Sequence, residues 1–381
     1  RRAASSLEVR YAGGEEEILG LLARHWLGAG DEEQAITYLS QAGDRARHAW
    51  ALDAAIGHYR QLLGLLERRA AHQEMALTLF KLALALHQAL RFREANDAYA
   101  RAFELWSPPP RTEPDVDSLV VGLRRLPFIA DPHRTHGAFH IQLMMALFDR
   151  LVEAWPGRVI VPSIAERWEI AEDGLRYRIH LRRDVHWSDG APLTAHDVEF
   201  GVKRNLERGQ PGLSVAIYFV LEHARDYLFG QHDDLDRVGV RALDDHTVEF
   251  RLNAPAPYFM HVLNRPDCAP LPRHVIEELG DAWSEPDREI VSGAFRRLEH
   301  SEELIRLERR TDGAMPRHGN ARIVELRRVG VEPSVQAATG DDLDVFNTQH
   351  DHRVVPTTTA AEQVNLDPPA GLAYFVLGHD H

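Results

Sequence analysis

Four prolines stand among the eight residues from Ser107 to Pro114, and they limit how this chain can fold more than any other feature. Proline lacks a backbone N–H and fixes its own φ, so no helix runs through such a stretch and no central strand includes it. An extended, semi-rigid spacer over 107–118 is expected, with separate organisation on either side. Charge also divides there. Residues 1–106 carry 13 Lys+Arg against 14 Asp+Glu, and the remainder carries 31 against 44. The acidic C-terminal part repels polyphosphate, which argues against nucleic acid as its partner. Lys81 and Lys203 are the only lysines and neither follows a glycine, so no phosphate-binding loop is present. With Cys268 as the single cysteine, neither an internal disulfide nor a thiolate metal cluster can form.

Residues 15–106 read as helices throughout, rich in Ala and Leu and free of proline. A short pattern recurs as Ala35, Leu39, Ala42, then Ala55, Tyr59, Leu62, then Ala95, Tyr99, Ala102. Steps of four and three place each trio on one helical face, where small residues let a neighbouring helix approach. Polar turns precede each instance: Gly30-Asp31-Glu32, Trp50 to Asp53, and Arg91-Phe92-Arg93. The series resembles tetratricopeptide-type helical hairpins, two or three of them, as in the repeat region of large bacterial signalling regulators. Its spacings of 20 and 40 residues depart from the family's usual repeat of about 34. An ordinary helical bundle is the alternative. Either implies a scaffold, with a protein partner bound through the helical repeats.

Beyond the spacer the periodicity changes. Leu119 to Leu123 is a buried-strand run ending at Pro127, and a helix is expected from about 137 to 152. Tyr177, Ile179 and Leu181 alternate with Arg178, His180 and Arg182, a half-buried strand. Thr194 caps a helix with Asp197 three residues on, close to a capping box, and Val238 to Leu252 forms a hairpin around Asp244-Asp245-His246. A mixed α/β domain beyond the spacer follows.

The stretch Pro162 to Phe200 resembles the family 5 solute-binding proteins, the oligopeptide, dipeptide and nickel receptors of bacterial uptake transporters. The resemblance rests on Pro162-Ser163-Ile164-Ala165-Glu166-Arg167-Trp168-Glu169 and Asp173-Gly174-Leu175-Arg176-Tyr177. It continues through Asp184-Val185-His186-Trp187-Ser188-Asp189-Gly190 into Leu193-Thr194-Ala195-His196-Asp197-Val198-Glu199-Phe200. Asp244 to Leu252, Pro255 to Phe259, Ser292 to Arg296, Gly340 to Val345 and Ala373-Tyr374-Phe375 agree in order, although Ala294 replaces a usual proline. The implied architecture is helical hairpins (1–106), a linker (107–118) and a periplasmic-binding-protein-like, type 2, mixed α/β domain (119–381). The resemblance also implies a last lobe continuing past His381, and therefore weak peptide binding by these residues alone.

Such a fold captures a solute between two lobes without reacting with it. The resemblance puts Phe128, Ile129, Tyr218, Phe219 and Arg265 at the ligand, with Arg265 suited to a ligand carboxylate. For the aromatic residues, core packing is the competing role. Trp168, Trp187 and Asp189 are expected to be folding devices. His133, His136 and His140 share a helical spacing, but no carboxylate backs them, so neither metal nor cofactor is expected. No His-Glu-x-x-His or Gly-x-Ser-x-Gly motif occurs, and catalysis is not expected.

Two functions compete. The fused helices favour a cytoplasmic sensor whose binding domain detects a peptide-like solute and relays closure through the repeats. The alternative is the substrate-binding component of a peptide ABC transporter, working with a membrane permease, and periplasmic if a signal peptide precedes Arg1. A degenerate domain used only as a protein-contact scaffold is a third. The spacer makes the first prediction: under native conditions a protease should cut within 107–118. Mass spectrometry should find a helical fragment and an acidic one, and an intact chain under conditions that digest other loops would refute the spacer.

Overall fold

The computed structural model describes residues 2–11, 18–108, 116–123, 126, 129–134, 138–155, 158–212, 214–312, 321–328, 345–347, 364–367 and 372–376. In chain order the helices α1 (Arg2–Arg10), α2 (Leu19–Gly28), α3 (Glu32–His48), α4 (Leu52–Arg69), α5 (His72–Gln88) and α6 (Phe92–Leu105) come first. Then come β1 (Val116–Leu123), α7 (Ala138–Leu147), β2 (Val152–Trp155), β3 (Val159–Pro162), β4 (Ala165–Ile170), β5 (Arg176–Leu181) and α8 (Ala195–Asn205). They are followed by α9 (Ala224–Leu228), β6 (Val240–Asp244), β7 (Thr247–Arg251), α10 (Phe259–Val262) and α11 (Arg273–Leu279). The last elements are β8 (Phe295–His300), β9 (Leu304–Arg309), β10 (Ala321–Arg328), β11 (Val345–Asn347), β12 (Val364–Asp367) and β13 (Leu372–Val376). The chain forms two compact units, one of Arg1–Pro108, Leu151–Arg182 and Ala216–Arg265, the other of Pro109–Arg150, Arg183–Val215 and Pro266–His381. The helices before the spacer thus share a unit with β2 to β7.

In the first unit, a left-handed residue ends a helix every 20 positions, at Gly30, Trp50, Ala70 and Leu90. Each lets the next amide, at Asp31, Ala51, Ala71 and Arg91, reach a carbonyl five residues back, at Trp26, Ala46, Leu66 and Leu86. This closure satisfies C-terminal carbonyls that would otherwise lack partners. The trios read from the sequence are buried, from Ala35, Ala55 and Ala95 at 0% exposure to Ala42 at 5%. Met75, Leu79 and Leu82 hold the same positions in α5 and are buried too. The repeat is therefore one helix per 20 residues.

The four-stranded sheet runs β4-β5-β7-β6, antiparallel throughout. Cross-strand rows separate its faces. Ile170, Tyr177, Phe250 and Val240 form one buried row, while Glu169, Arg178, Glu249 and Arg241 form a row of alternating charge on the opposite face. Alternation along each strand forces this segregation. Helices α5 and α6 cover the apolar face. The Trp168 ring lies 4.8 Å from Phe103, 5.2 Å from Tyr99 and 6.2 Å from Phe80, centroid to centroid. The Tyr177 ring meets Phe259 at 4.8 Å and shares a buried 2.7 Å hydrogen bond with His87. Asn96 completes the seam: its amide donates to the Ile170 carbonyl (2.5 Å) and accepts from the Ile170 amide (3.1 Å). Those groups belong to the open side of β4, an edge strand, so Asn96 stands in for a neighbouring strand. Gly174 turns with φ +70°, and a Cβ there would strike the Phe92 ring.

The second unit is built on a sheet ordered β12-β13-β11-β1-β10-β9-β8. β1 is parallel to both its neighbours, and the other pairings are antiparallel. The helix expected over 137–152 is shorter. α7 stops at Leu147, whose carbonyl accepts the Gly293 amide (2.7 Å), and Val152 instead opens β2.

Two outcomes follow for the helix–sheet seam. Asn96→Ala leaves both main-chain groups of Ile170 without their partner, and should cost about 1–3 kcal/mol in urea unfolding. A loss under 0.5 kcal/mol would deny Asn96 that role. Burial drives the His87 pKa down to about 3. The unfolded chain takes up a proton below its ordinary pKa of about 6.5, while the folded chain refuses it. The stabilisation is complete above that pH and is lost as pH falls toward 3. His87→Gln should therefore show less loss of unfolding midpoint between pH 7 and pH 4.5 than the unaltered chain.

Candidate functional site

The expected ligand residues fall on both units. Phe128 lies outside the described residues, and Ile129, 44% exposed, belongs to the second unit. Tyr218 and Phe219 occupy a 3-10 turn, Val215–Val220. Asn253 holds this turn to the end of β7, its side chain donating to the Phe219 carbonyl (2.7 Å) and its amide to the Val220 carbonyl (3.0 Å). Tyr218 is 3% exposed, whereas Phe219 is half-buried with its ring 5.9 Å from Phe229. Arg265 is exposed just after α10, its amide bonded to the Val262 carbonyl (3.0 Å). Tyr218, Phe219 and Arg265 share the first unit.

In the second unit the Trp187–Asp197 stretch folds around one carboxylate. Asp197 accepts the Thr194 amide (2.8 Å), the Arg273 amide (3.3 Å) and the Trp187 indole N–H (3.5 Å). Burial nonetheless raises its pKa. Trp187 is fully buried, and Ser188 exchanges hydrogen bonds with the Val291 backbone, 2.9 Å and 3.0 Å. Asp189 ties the Ala191 amide (3.0 Å) and the His274 ring (2.7 Å). Burial would raise its pKa, but the His274 contact and the backbone hydrogen bonds, including that from Ala191, together hold it low. These residues shape a turn and offer no reactive group.

A second carboxylate is more deeply set. Arg204 grips Asp131 with two bonds, 3.1 Å and 2.7 Å, and both side chains are buried. Burial opposes ionisation of Asp131, but the guanidinium and neighbouring His133, whose amide donates to it (2.9 Å), together leave the pKa below its ordinary value. Neighbouring His133 is 2% exposed, with neither ring nitrogen hydrogen-bonded, and burial lowers its pKa to about 4. His136 lies outside the described residues and His140 is half-buried on α7. Among the described residues no three metal-capable side chains gather at one point.

A groove of about 790 Å³ lies in the first unit between α6 and the β4–β5 hairpin. Its walls are joined where Asn96 meets Ile170 and where Phe103 meets Trp168. Asp97, Ala100 and Glu104 line the helix side at steps of three and four; Arg167, Arg176 and Arg178 line the sheet side. None of these residues is marked as a site residue by the sequence. Asp97 and Glu104 share a helical face, but the strand opposite them cannot be known from local spacing.

Residues 159–377 match the family described as bacterial extracellular solute-binding proteins, family 5, middle. The periplasmic oligopeptide-binding protein OppA of Salmonella typhimurium is 35% identical over 172 residues, 44% of this chain and 31% of that protein. The probable deoxycholate-binding periplasmic protein YgiS of Escherichia coli is 36% identical over 171 residues, 44% of this chain and 32% of that protein. Among solved structures, Haemophilus influenzae OppA in complex with the peptide RPPGFSPFR superposes with a TM-score of 0.56 at 28% identity. That superposition covers 62% of this chain and 47% of the other. The matches thus span about a third of the curated relatives and under half of the solved one. They overturn the cytoplasmic expectation, because the matched family is extracellular and these relatives are periplasmic. The family match extends over more than half of the chain, through the strands and capped helix described above, and the chain belongs to the family 5 bacterial extracellular solute-binding proteins.

Proposed function

We propose that this chain is the substrate-binding part of a peptide transport system, working outside the cytoplasm and handing its solute to a membrane permease. The observation that carries the proposal is the 35% identity over 172 residues to an oligopeptide-binding protein. A Borrelia burgdorferi protein of known structure, a periplasmic oligopeptide-binding protein of an oligopeptide ABC transporter, is 25% identical with a TM-score of 0.56. These comparisons favour a transport receptor over a sensor that relays closure through the helices. Capture without chemistry suits the local architecture, in which the carboxylates of Asp131 and Asp197 are committed to Arg204 and to backbone amides.

Arg265, exposed beside α10, is the proposed partner of a peptide carboxylate, with Tyr218 and Phe219 of the same unit supplying apolar contact. A bidentate guanidinium–carboxylate bond explains why arginine suits the position better than lysine.

Calorimetry against di- to nonapeptides, with deoxycholate as a parallel probe, tests the proposal. Saturable peptide binding that weakens about tenfold in Arg265→Ala is expected, with the unfolding midpoint unchanged because the side chain is exposed. About 1.4 kcal/mol of binding free energy corresponds to that factor. Binding of deoxycholate with no response to any peptide would reject peptide as the solute.

A further inference from the structure

The groove beside α6 carries opposite charges on facing walls that never meet. Asp97 and Glu104 are exposed and form no ion pair, and neither does Arg176 on the sheet side, among the described residues. Arg167 pairs along its own strand with Glu169 (3.0 Å), and Arg178 pairs across the sheet with Glu249 (3.1 Å). No ion pair crosses from α6 to the hairpin in the groove. Ordinarily, long arginine side chains close such a gap when they can reach, as Arg60 does to Glu94 (2.8 Å) and Arg101 to Glu67 (3.0 Å) elsewhere on these helices. Here the two walls are held apart by their fixed junctions, Asn96 to Ile170 and Phe103 to Trp168.

Glu169 also lines the sheet side, paired with Arg167, so the unpaired cation there is Arg176, and the field across the recess runs from a negative helix wall to a sheet wall of net positive charge. Its volume of about 790 Å³ falls in the usual range of about 300–1,000 Å³ for small-molecule sites. Between the charged walls lie Ala100, Phe103 and the edge of Trp168, which offer an apolar floor. A ligand that satisfies both walls must itself be dipolar, with its cation toward Asp97 and Glu104 and its anion toward Arg176. A simple anion or cation would satisfy one wall and be repelled by the other.

We propose that this groove is a binding site for a small zwitterion of the amino-acid or short-peptide type. It takes the ammonium on the helix wall and the carboxylate on the sheet wall. The site is built wholly from the first unit and uses none of the residues proposed above to contact the transported solute. It therefore stands or falls separately from them. Exposed charges with water between them give modest attraction, so the affinity is low and falls steeply with ionic strength.

The test uses the full chain and triglycine, with N-acetyl-triglycine amide as the uncharged comparison. Hydrogen exchange followed by mass spectrometry locates binding, and titration calorimetry measures it. Triglycine is expected to slow exchange in residues 96–104 and 167–178, with affinity falling at least tenfold between 20 and 500 mM salt. The blocked tripeptide should do neither. Asp97→Asn with Glu104→Gln, and separately Arg176→Gln, should each lower the affinity at least about tenfold. The fold should be unaffected, since these side chains hold no ion pair. Arg265→Ala should leave protection of the groove unchanged. Protection confined to other segments would overturn the groove while leaving the transport proposal intact, and equal binding of the blocked tripeptide would overturn it too.

Discussion

The first unit depends on how one edge strand is finished. β4 has a neighbour on one side only, and a row of unpaired amides and carbonyls on the other side is exposed to any strand that passes. Asn96 occupies the two main-chain groups of Ile170, and Trp168, two residues earlier, drives its ring among Phe80, Tyr99 and Phe103. Polar closure and aromatic burial thus act on the same strand from the same helix pair. Removing a buried Trp side chain typically costs about 3–5 kcal/mol, a large share of a domain's net stability of about 5–15 kcal/mol. The remaining contacts extend from that point, through His87 and Tyr177 to Phe259 and Phe250. The helices are consequently a packed layer of the unit that also contains the four-stranded sheet.

The second unit relies on buried charge. Asp197 caps α8 while holding the Trp187 indole and the start of α11, so one carboxylate fixes three elements. Arg204, near the end of α8, fixes Asp131. Buried ion pairs add little net stability over apolar packing, but breaking one is expensive because a lone charge remains in a dry setting. Such pairs therefore specify geometry. Both carboxylates are thereby committed to structural partners, in keeping with a family that binds solutes.

Much of this was legible in the chain itself. Alternation along 177–181 identified β5, Thr194 and Asp197 announced the start of α8, and the Asp244-Asp245-His246 turn located the β6–β7 hairpin. These signals are local, set by the side-chain period of 2 or by a cap three residues away. The helical spacing was only partly visible. Three trios showed small residues beside large ones, while Met75, Leu79 and Leu82 carried the same pattern in other residue types, hiding the regular step of 20. Cytoplasmic placement was inferred from the fused helices and was wrong. Helices of this kind say nothing about compartment, whereas similarity over 159–377 does.

The sequence by itself determined the family, the order of the elements and the faces they bury, because hydrophobic period, turn residues and caps act over a few positions along the chain. Only the tertiary structure decided that α5 and α6 cover β4 and β5, that Gly174 yields its space to Phe92, and that Asp97 and Glu104 face arginines they do not reach. Each of these joins residues about 70–90 positions apart, or depends on a gap between walls. Such relations arise from packing in three dimensions, and no spacing along the chain encodes them.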